Sequence, residues 1–443
     1  MDLKQEQTLI PSSDYVRKLL KQCCRGGCQA IPGHRCDRPS ALQMEDICDP
    51  GRLDPHGPLA RNLQAEIESL SSNRLTRNNK VRLLLDGTDS YGTMLDLIRS
   101  AENEVCFENF IFRADAVGLA FAAEFRRRAE KDRVQVRILH EPFGSRLSVL
   151  PIAWRFRGSG ALVRLYNPLP AGAAFFTLGR DHRKLVLQDR SRLVAGGLCL
   201  ADVWLGNCIT QCTWRDSAIL AEGDCASAAA QEFDRLWHHG VSLTLRRPRP
   251  QPRVIPATVG HAGEVPVRIV ADFRNHRPTE QILLLVCEAA QHEILITNQY
   301  FIPTPALVRA LIEAVRRGVD VKLILPRLGR PLIAGLATDH YLGRFLASGI
   351  KIWRWNGPMM HAKTITVDRS WSLVGSSNVD PLSLRFNAEL NLEVHGTSVG
   401  EQMATIFDND LLTSTLYTYE DWRSRSVALR GLTRLASLAG PIL

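Results

Sequence analysis

The chain contains the spacing H-x-K-x4-D at two places, and these residues are of types that could act on an anionic group. The first copy consists of His182, Lys184 and Asp189, and the second of His361, Lys363 and Asp368. An imidazole can attack an electrophile or transfer a proton, while a neighbouring ammonium neutralises negative charge. Because the copies lie 179 residues apart and glycines follow both at matched positions, we interpret them as a duplicated active-site element.

Each copy is predicted to lie on an extended strand. Side chains two residues apart point to the same face of a strand, which would place each histidine beside its lysine. Residues 364–367 alternate between threonine and aliphatic side chains, as a strand with two different faces would. A half-buried strand with a solvated histidine and lysine is the alternative for one copy alone, and the repetition argues against it.

The second copy is the better equipped for binding an anionic group. Ser376 and Asn378 follow it, whereas Gly197 and Cys199 stand at the corresponding positions after the first copy. Hydroxyl and amide groups can hydrogen-bond to the oxygens of an anion, so we predict that the second element holds the anionic group and the first contributes chiefly its histidine and lysine. The Cys199 thiol could be a nucleophile, but a buried, inert cysteine is the favoured interpretation.

Strands and helices alternate around both copies in the same order. In the first half, strands are predicted at 80–85, 105–112 and 134–139, helices at 94–101 and 118–131, and a turn at 86–87. In the second half, strands are predicted at 267–270, 293–298 and 319–325, and helices at 280–291 and 305–317. This alternation predicts α/β layering, and its repetition indicates that whole domains are duplicated.

The composition divides the chain into four segments. An irregular, cysteine-containing extension is predicted at residues 1–72. Two domains are predicted at 73–245 and 267–443, joined by a linker rich in proline and arginine at 246–266. Five of the eleven cysteines lie in the extension. Their spacings match no usual zinc-ligand pair, so an irregular segment is favoured over a metal site. A short basic helix is conceivable at 14–21.

Charge and hydropathy narrow the classes of protein. The net charge is +9, which favours anionic partners, meaning nucleic acid or the acidic face of a membrane. We expect no signal peptide, because the N-terminus is polar, and no transmembrane helix, because no apolar run approaches ~20 residues. Residues 427–438 have leucines and arginines at helical spacing, so we predict a basic amphipathic helix that packs on the body or lies on a membrane.

Around the two elements the chain resembles the phospholipase D superfamily. Over residues 73–443 it resembles the bacterial cardiolipin synthases without transmembrane helices. The resemblance rests on both H-x-K-x4-D copies and on the stretches 108–112 (ENFIF), 214–216 (WRD), 298–303 (NQYFIP), 375–381 (GSSNVDP) and 387–391 (NAELN).

The resemblance implies two pseudo-symmetric α/β/α repeats with one shared active site between them. One histidine would attack a phosphodiester to form a phosphohistidine, and the other would protonate the leaving alcohol and deprotonate the incoming one. We expect no metal and no other cofactor, because Lys184 and Lys363 can stabilise the charge of the pentacoordinate phosphorus.

The resemblance also assigns supporting residues, and it makes phosphate the anionic group that Ser376 and Asn378 would bind. In the family an acid follows each motif by about thirty residues and holds its histidine, which would pair Asp216 with His182 and Glu389 with His361. By analogy with related phospholipases, His182 is the favoured nucleophile and His361 the favoured acid and base.

Three functions remain to be weighed. The favoured one is cardiolipin synthase-like transfer of a phosphatidyl group from phosphatidylglycerol to the hydroxyl of a second phospholipid, with release of glycerol. The acceptor could also be phosphatidylethanolamine or a small polyol. The alternatives are a phosphodiesterase or nuclease of the same superfamily and a degenerate scaffold, which the two intact His-Lys-Asp sets argue against. Anionic phospholipid and a membrane surface are the expected partners, with nucleic acid disfavoured and the oligomeric state open. We expect a peripheral location on the inner face of a bacterial cell membrane.

Overall fold

The computed structural model describes residues 42, 44–53, 61–168, 179–205, 213–242, 260–327 and 332–438. Cys23, Cys24, Cys28 and Cys36 of the extension lie outside these ranges, as do the conceivable helix at 14–21 and residues 246–259 of the linker. Within these ranges, no helix combines the length and the apolar character that crossing a bilayer requires.

The first half contains β1 (Asn79–Leu85), α2 (Asp86–Ser100), β2 (Glu104–Asn109), α3 (Ala116–Lys131), β3 (Gln135–His140), α4 (Pro142–Ser145), α5 (Val149–Arg155), β4 (Leu162–Leu165), β5 (Lys184–Gln188), β6 (Arg192–Gly196), α6 (Asp202–Leu205), β7 (Ser217–Gly223), α7 (Asp224–Trp237) and β8 (Val241–Ser242), preceded by α1 (Arg61–Leu70). A short 3-10 helix (Arg146–Ser148) joins α4 to α5.

The second half contains β9 (Val267–Asp272), α8 (Pro278–Ala289), β10 (Glu293–Thr297), α9 (Pro305–Arg316), β11 (Asp320–Pro326), α10 (Leu332–Ala347), β12 (Lys351–Trp355), β13 (Thr364–Val367), β14 (Trp371–Gly375), α11 (Pro381–Arg385), β15 (Glu389–His395), α12 (Thr397–Leu412), β16 (Ser414–Tyr417), α13 (Tyr419–Arg423) and α14 (Val427–Leu438).

Among the described residues, the strands form two eight-stranded sheets of the same topology. The orders are β1-β7-β6-β5-β2-β3-β4-β8 and β9-β15-β14-β13-β10-β11-β12-β16. In each sheet the three strands that alternate with helices are parallel and their neighbours are antiparallel. The sheets are therefore two pseudo-symmetric repeats of one topology, and the predicted α/β fold class is confirmed.

The two sheets face each other across a common core. Apolar side chains of β6 and β7 pack with those of β14 and β15, and α7 and α12 contribute to the same buried cluster. The outer faces carry separate cores, under α2 and α3 in the first repeat and under α8 and α9 in the second. Because both faces of each sheet are covered, its central strands are buried along almost their whole length.

All ten elements predicted around the two copies are present, with shifted ends. The largest difference is at the predicted turn at 86–87, which is wrong because α2 begins at Asp86. The first two turns of α2 carry few apolar residues, so hydrophobic periodicity could not find them, whereas Asp86 and Asp89 suit a helix N-terminus. The strand predicted at 105–112 ends at Asn109.

Two helices outside the repeated elements pack on the second repeat. Residues 61–70, predicted to be irregular, form α1, whose Ile67 is buried in the core of the second repeat. The predicted C-terminal helix is present as α14. It packs against α10 and buries Ala436 beside Ile302 and Ala337.

Candidate active site

Each motif histidine is joined by its backbone to the other repeat. The N–H of His182 donates to the carbonyl of Ala388 at 2.9 Å, and the N–H of His361 donates to the carbonyl of Arg215 at 2.7 Å. Ala388 and Arg215 each immediately precede one of the predicted acids. The two motifs are thereby brought together at one place between the sheets.

Each histidine is paired with the acid of the other repeat, whereas the prediction paired it with the acid of its own repeat. Nδ1 of His182 lies 3.0 and 3.1 Å from the two carboxylate oxygens of Glu389, and Nδ1 of His361 lies 2.6 Å from Oδ2 of Asp216. The predicted pairs, His182 with Asp216 and His361 with Glu389, are wrong. The acid of each repeat stands at the start of β7 or β15. In its own sheet, that strand lies two strands from β5 or β13, which carries the motif, and two strand spacings amount to about 9–10 Å.

Burial and contact with the carboxylates set the charge of both rings. Burial lowers the pKa of His182, although Glu389 opposes the shift. Burial, reinforced by Lys363, lowers the pKa of His361 to about 3. Burial alone would raise the pKa of Glu389 and Asp216, but contact with their histidines lowers it, so both acids are ionised. An ionised carboxylate accepts the Nδ1 proton, which leaves Nε2 of each neutral ring with a free lone pair.

The two lysines are buried beside the histidines. Nζ of Lys184 donates to the carbonyl of His182, and Nζ of Lys363 donates to the carbonyl of His361. Nζ of Lys363 also donates to Oε1 of Gln299 at 3.3 Å. Burial lowers the pKa of Lys363 to about 8. A cation held in so dry a place stabilises an anionic phosphorus centre more strongly than a solvated one would.

Aromatic side chains line the histidines. The ring of Phe110 lies 4.9 Å from that of His182, and Trp204 and Trp214 lie 5.2 and 5.6 Å from His361. Nε1 of Trp204 donates to Oδ2 of Asp216 at 2.8 Å, the same oxygen that binds His361. Trp204 and Gln299 were not predicted as functional residues, since neither stands at a repeated position.

The motif aspartates lie away from this site. Asp189 and Asp368 follow the far ends of β5 and β13, and their carboxylates accept backbone N–H groups of residues 102–104 and 291–293, respectively. Their assignment as catalytic residues is therefore corrected. They close the turn that precedes β2 or β10, and the four residues between lysine and aspartate run along the strand from the site to this turn.

Ser376 supports an acid rather than facing a substrate. Its Oγ donates to Oε2 of Glu389 at 2.5 Å, so it fixes the carboxylate that holds His182. This corrects its assignment to phosphate. Asn378 is buried and borders a small cavity with Lys363, and its amide oxygen has no hydrogen-bond partner among the described residues. Its role in binding phosphate stays a prediction.

The glycine at position 197, where the second element has a serine, has a steric cause. A Cβ at Gly197 would lie 2.1 Å from Oδ1 of Asp216, so any side chain there would displace the acid that holds His361. Cys199 is buried, and burial raises the pKa of its thiol. The thiol is therefore protonated and unsuited to nucleophilic attack, as predicted.

Comparison with known proteins agrees with these features. A family described as "Cardiolipin synthase, PLD-like domain" matches residues 284–411. The chain is 29% identical to the major cardiolipin synthase ClsA of Bacillus subtilis over 376 residues, which cover 83% of this chain and 76% of that protein. It is 28% identical to a cardiolipin synthase of Listeria welshimeri over 373 residues, with the same coverage.

A solved structure shows the same fold. The phosphatidylserine synthase of Haemophilus influenzae Rd KW20 superposes with a TM-score of 0.68, covering 86% of this chain and 100% of that chain at 15% sequence identity. At this identity the likeness concerns the fold alone.

The crossed pairing predicts which histidine responds to which acid. In Asp216→Asn the carboxylate that accepts the His361 proton is lost, so we expect the ¹⁵N resonances of His361 to move while those of His182 stay in place. Glu389→Gln should do the reverse. The measurement is ¹⁵N NMR of histidine-labelled protein, with each ring assigned by its own substitution. A response of His182 to Asp216→Asn, with His361 unmoved, would contradict the crossed arrangement.

Proposed function

The chain belongs to the phospholipase D superfamily, in its cardiolipin synthase branch, and on this premise we propose that it makes cardiolipin from two molecules of phosphatidylglycerol. One molecule would donate its phosphatidyl group and the other would accept it, with release of glycerol. The observation that carries this proposal is the pair of neutral, carboxylate-held histidines with two buried lysines at one site.

The first step is attack of a histidine on phosphorus. Nε2 of His182 uses its free lone pair to form the P–N bond as the bond from phosphorus to the glycerol headgroup breaks. His361 gives a proton to the departing glycerol oxygen. Glu389 stabilises the positive charge that develops on the ring of His182, because its carboxylate lies against Nδ1.

The second step reverses the first with a different alcohol. The headgroup hydroxyl of a second phosphatidylglycerol loses its proton to His361 and attacks phosphorus. The P–N bond then breaks, which returns His182 to its neutral form and releases cardiolipin. Splitting the displacement into two steps lets an alcohol, rather than water, be the acceptor.

Proton transfer by His361 requires that substrate binding raises its pKa. Positive charge from Lys363 is one cause of the lowered pKa in the unliganded site. A phosphodiester anion bound between the lysines offsets that charge and favours the imidazolium form. We assign attack to His182 because Glu389, itself anchored by Ser376, holds Nδ1 with both oxygens and so fixes the direction of Nε2.

We also propose that the protein works at the inner face of the bacterial cell membrane, with anionic phospholipid as its partner. Its basic charge suits such a surface. The same charge and the same two-histidine chemistry would suit a nuclease, so the assay includes DNA.

Incubation with phosphatidylglycerol vesicles, followed by lipid mass spectrometry, should show cardiolipin and free glycerol in equal amounts. His182→Ala and His361→Ala should each lose transfer by roughly 10²–10⁴-fold or more, because each removes a group that moves an atom or a proton. Cys199→Ala is a matched control in the same core and should retain activity. Cleavage of labelled DNA with unchanged lipid would refute the proposal, as would near-normal transfer by either histidine variant.

Lys363 predicts the alkaline limit of activity. Its pKa of about 8 lies above that of the histidines, so its positive charge is present below this pH and is lost as the pH rises through it. We therefore expect kcat/KM to fall above about pH 8. Lys363→Arg keeps its charge at higher pH and should move the fall upward, with a lower maximum because the fork of arginine fits differently. An unchanged midpoint in this variant would show that another group sets the limit.

A further inference from the structure

The segment that follows the third strand of each repeat borders the shared site. Asn109, at the end of β2, pairs with both His140, at the end of β3, and Lys184, at the start of β5. The chain that leaves β3 thus begins at the sheet edge where the first motif lies. In the second repeat, Thr297 pairs with Ile324 of β11 and with Thr364, directly after Lys363.

The same hydrogen bond fixes both segments. The N–H of Phe112 donates to Oγ of Ser145 at 3.0 Å, and the N–H of Phe301 donates to Oγ1 of Thr338 at 3.3 Å. The two phenylalanines stand at equivalent positions, three residues after Asn109 and Asn298. Ser145 directly precedes the 3-10 helix and α5, and Thr338 lies in the second turn of α10. Each segment is thereby held against the chain that follows β2 or β10.

Both segments turn large apolar side chains toward solvent. In the first, Leu147 is 95% exposed, Leu150 74% and Trp154 68%, while Ile152 is fully buried and anchors the helix. In the second, Leu332 is 66% exposed and Ile333 is also exposed. We call these sets the first patch (Leu147, Leu150 and Trp154) and the second patch (Leu332 and Ile333).

The sequence of each segment is basic. Residues 142–157 contain three arginines and no acid, and residues 327–338 contain two arginines and no acid. In the first segment, the guanidinium of Arg146 lies 5.9 Å from the ring of Phe143, and that of Arg157 lies 5.8 Å from the ring of Trp154. Arginine beside tryptophan and phenylalanine is a combination that suits the boundary between anionic headgroups and acyl chains.

We propose that the two patches together dock the protein on an anionic lipid bilayer, with the mouth of the shared site between them. Two observations favour a bilayer over a protein partner: the basic charge of both segments, and the division of the exposed apolar side chains between two separate patches. Gly144, in the first segment, packs on the carbonyl of Phe110, whose ring touches His182. Docking would therefore bring lipid headgroups to the histidines. This inference rests on the proposed function and names the surface that serves it.

The test is the double variant Leu150→Glu with Leu332→Glu. Both positions lie in the first turn of a helix, where an acid suits the helix dipole, so the fold should be retained. Each substitution removes an apolar contact and adds a charge that anionic lipid repels. We expect each single variant to bind phosphatidylglycerol-containing vesicles roughly tenfold more weakly in a flotation assay, and the double variant more weakly still. Leu416→Glu makes the same change at a half-exposed leucine of the edge strand β16, outside both patches, and should bind like the parent.

Three further readings complete the test. Vesicles of phosphatidylcholine alone should bind the parent protein weakly, because the arginines need anionic lipid. Cardiolipin synthesis on vesicles should fall with binding in the double variant. Turnover of short-chain phosphatidylglycerol dissolved as monomers should match the parent.

The outcomes separate this inference from the proposed function. Parent-like vesicle binding by the double variant overturns the docking surface, even if the parent makes cardiolipin. Failure of the parent to bind anionic vesicles, or equal binding to both lipid compositions, overturns it too. If the variants lose binding but the parent makes no cardiolipin, the surface stands and the proposed function fails.

Discussion

Each motif histidine is held by a carboxylate of the other repeat, and the rest of the site depends on this exchange. Two backbone hydrogen bonds, from His182 to the residue before Glu389 and from His361 to the residue before Asp216, bring the acids into place. A single repeat would leave its histidine without a carboxylate and its buried acid without the histidine that lies against it, which is costly. The site thus requires two repeats, and the common core between the sheets keeps both halves in register.

The two halves reach the same arrangement with different supports. In the second repeat the hydroxyl of Ser376 fixes Glu389, whereas in the first Gly197 leaves room for Asp216 and the indole of Trp204 binds it. A serine at position 197 would collide with the carboxylate it was meant to support. The residues that looked like a weakened phosphate site therefore adapt the first half to Asp216. The two halves differ in how they support the carboxylates that hold the histidines.

The sequence predicted the repeated elements well, because buried strands and amphipathic helices leave clear periodicities and the duplication checks each against its copy. It also singled out His182, His361 and both lysines, which the structure brings together at one place. It could not predict the exchange of Asp216 and Glu389, since spacing along one chain favours a partner in the same repeat, whereas strand order puts that partner two strands away. Hydrophobic periodicity likewise could not predict the exposed patches, because their exposure depends on how the segments after β3 and β11 pack on the rest of the protein.

We propose that both displacements occur at one shared site through an intermediate on histidine. The most direct measurement is the stereochemical course at phosphorus, followed with phosphatidylglycerol in which one non-bridging oxygen is replaced by sulfur in a known configuration. Each in-line displacement inverts phosphorus, so attack by His182 and then by the acceptor hydroxyl predicts net retention in cardiolipin. Net inversion would mean that the acceptor attacks the donor lipid directly and would contradict an intermediate on His182.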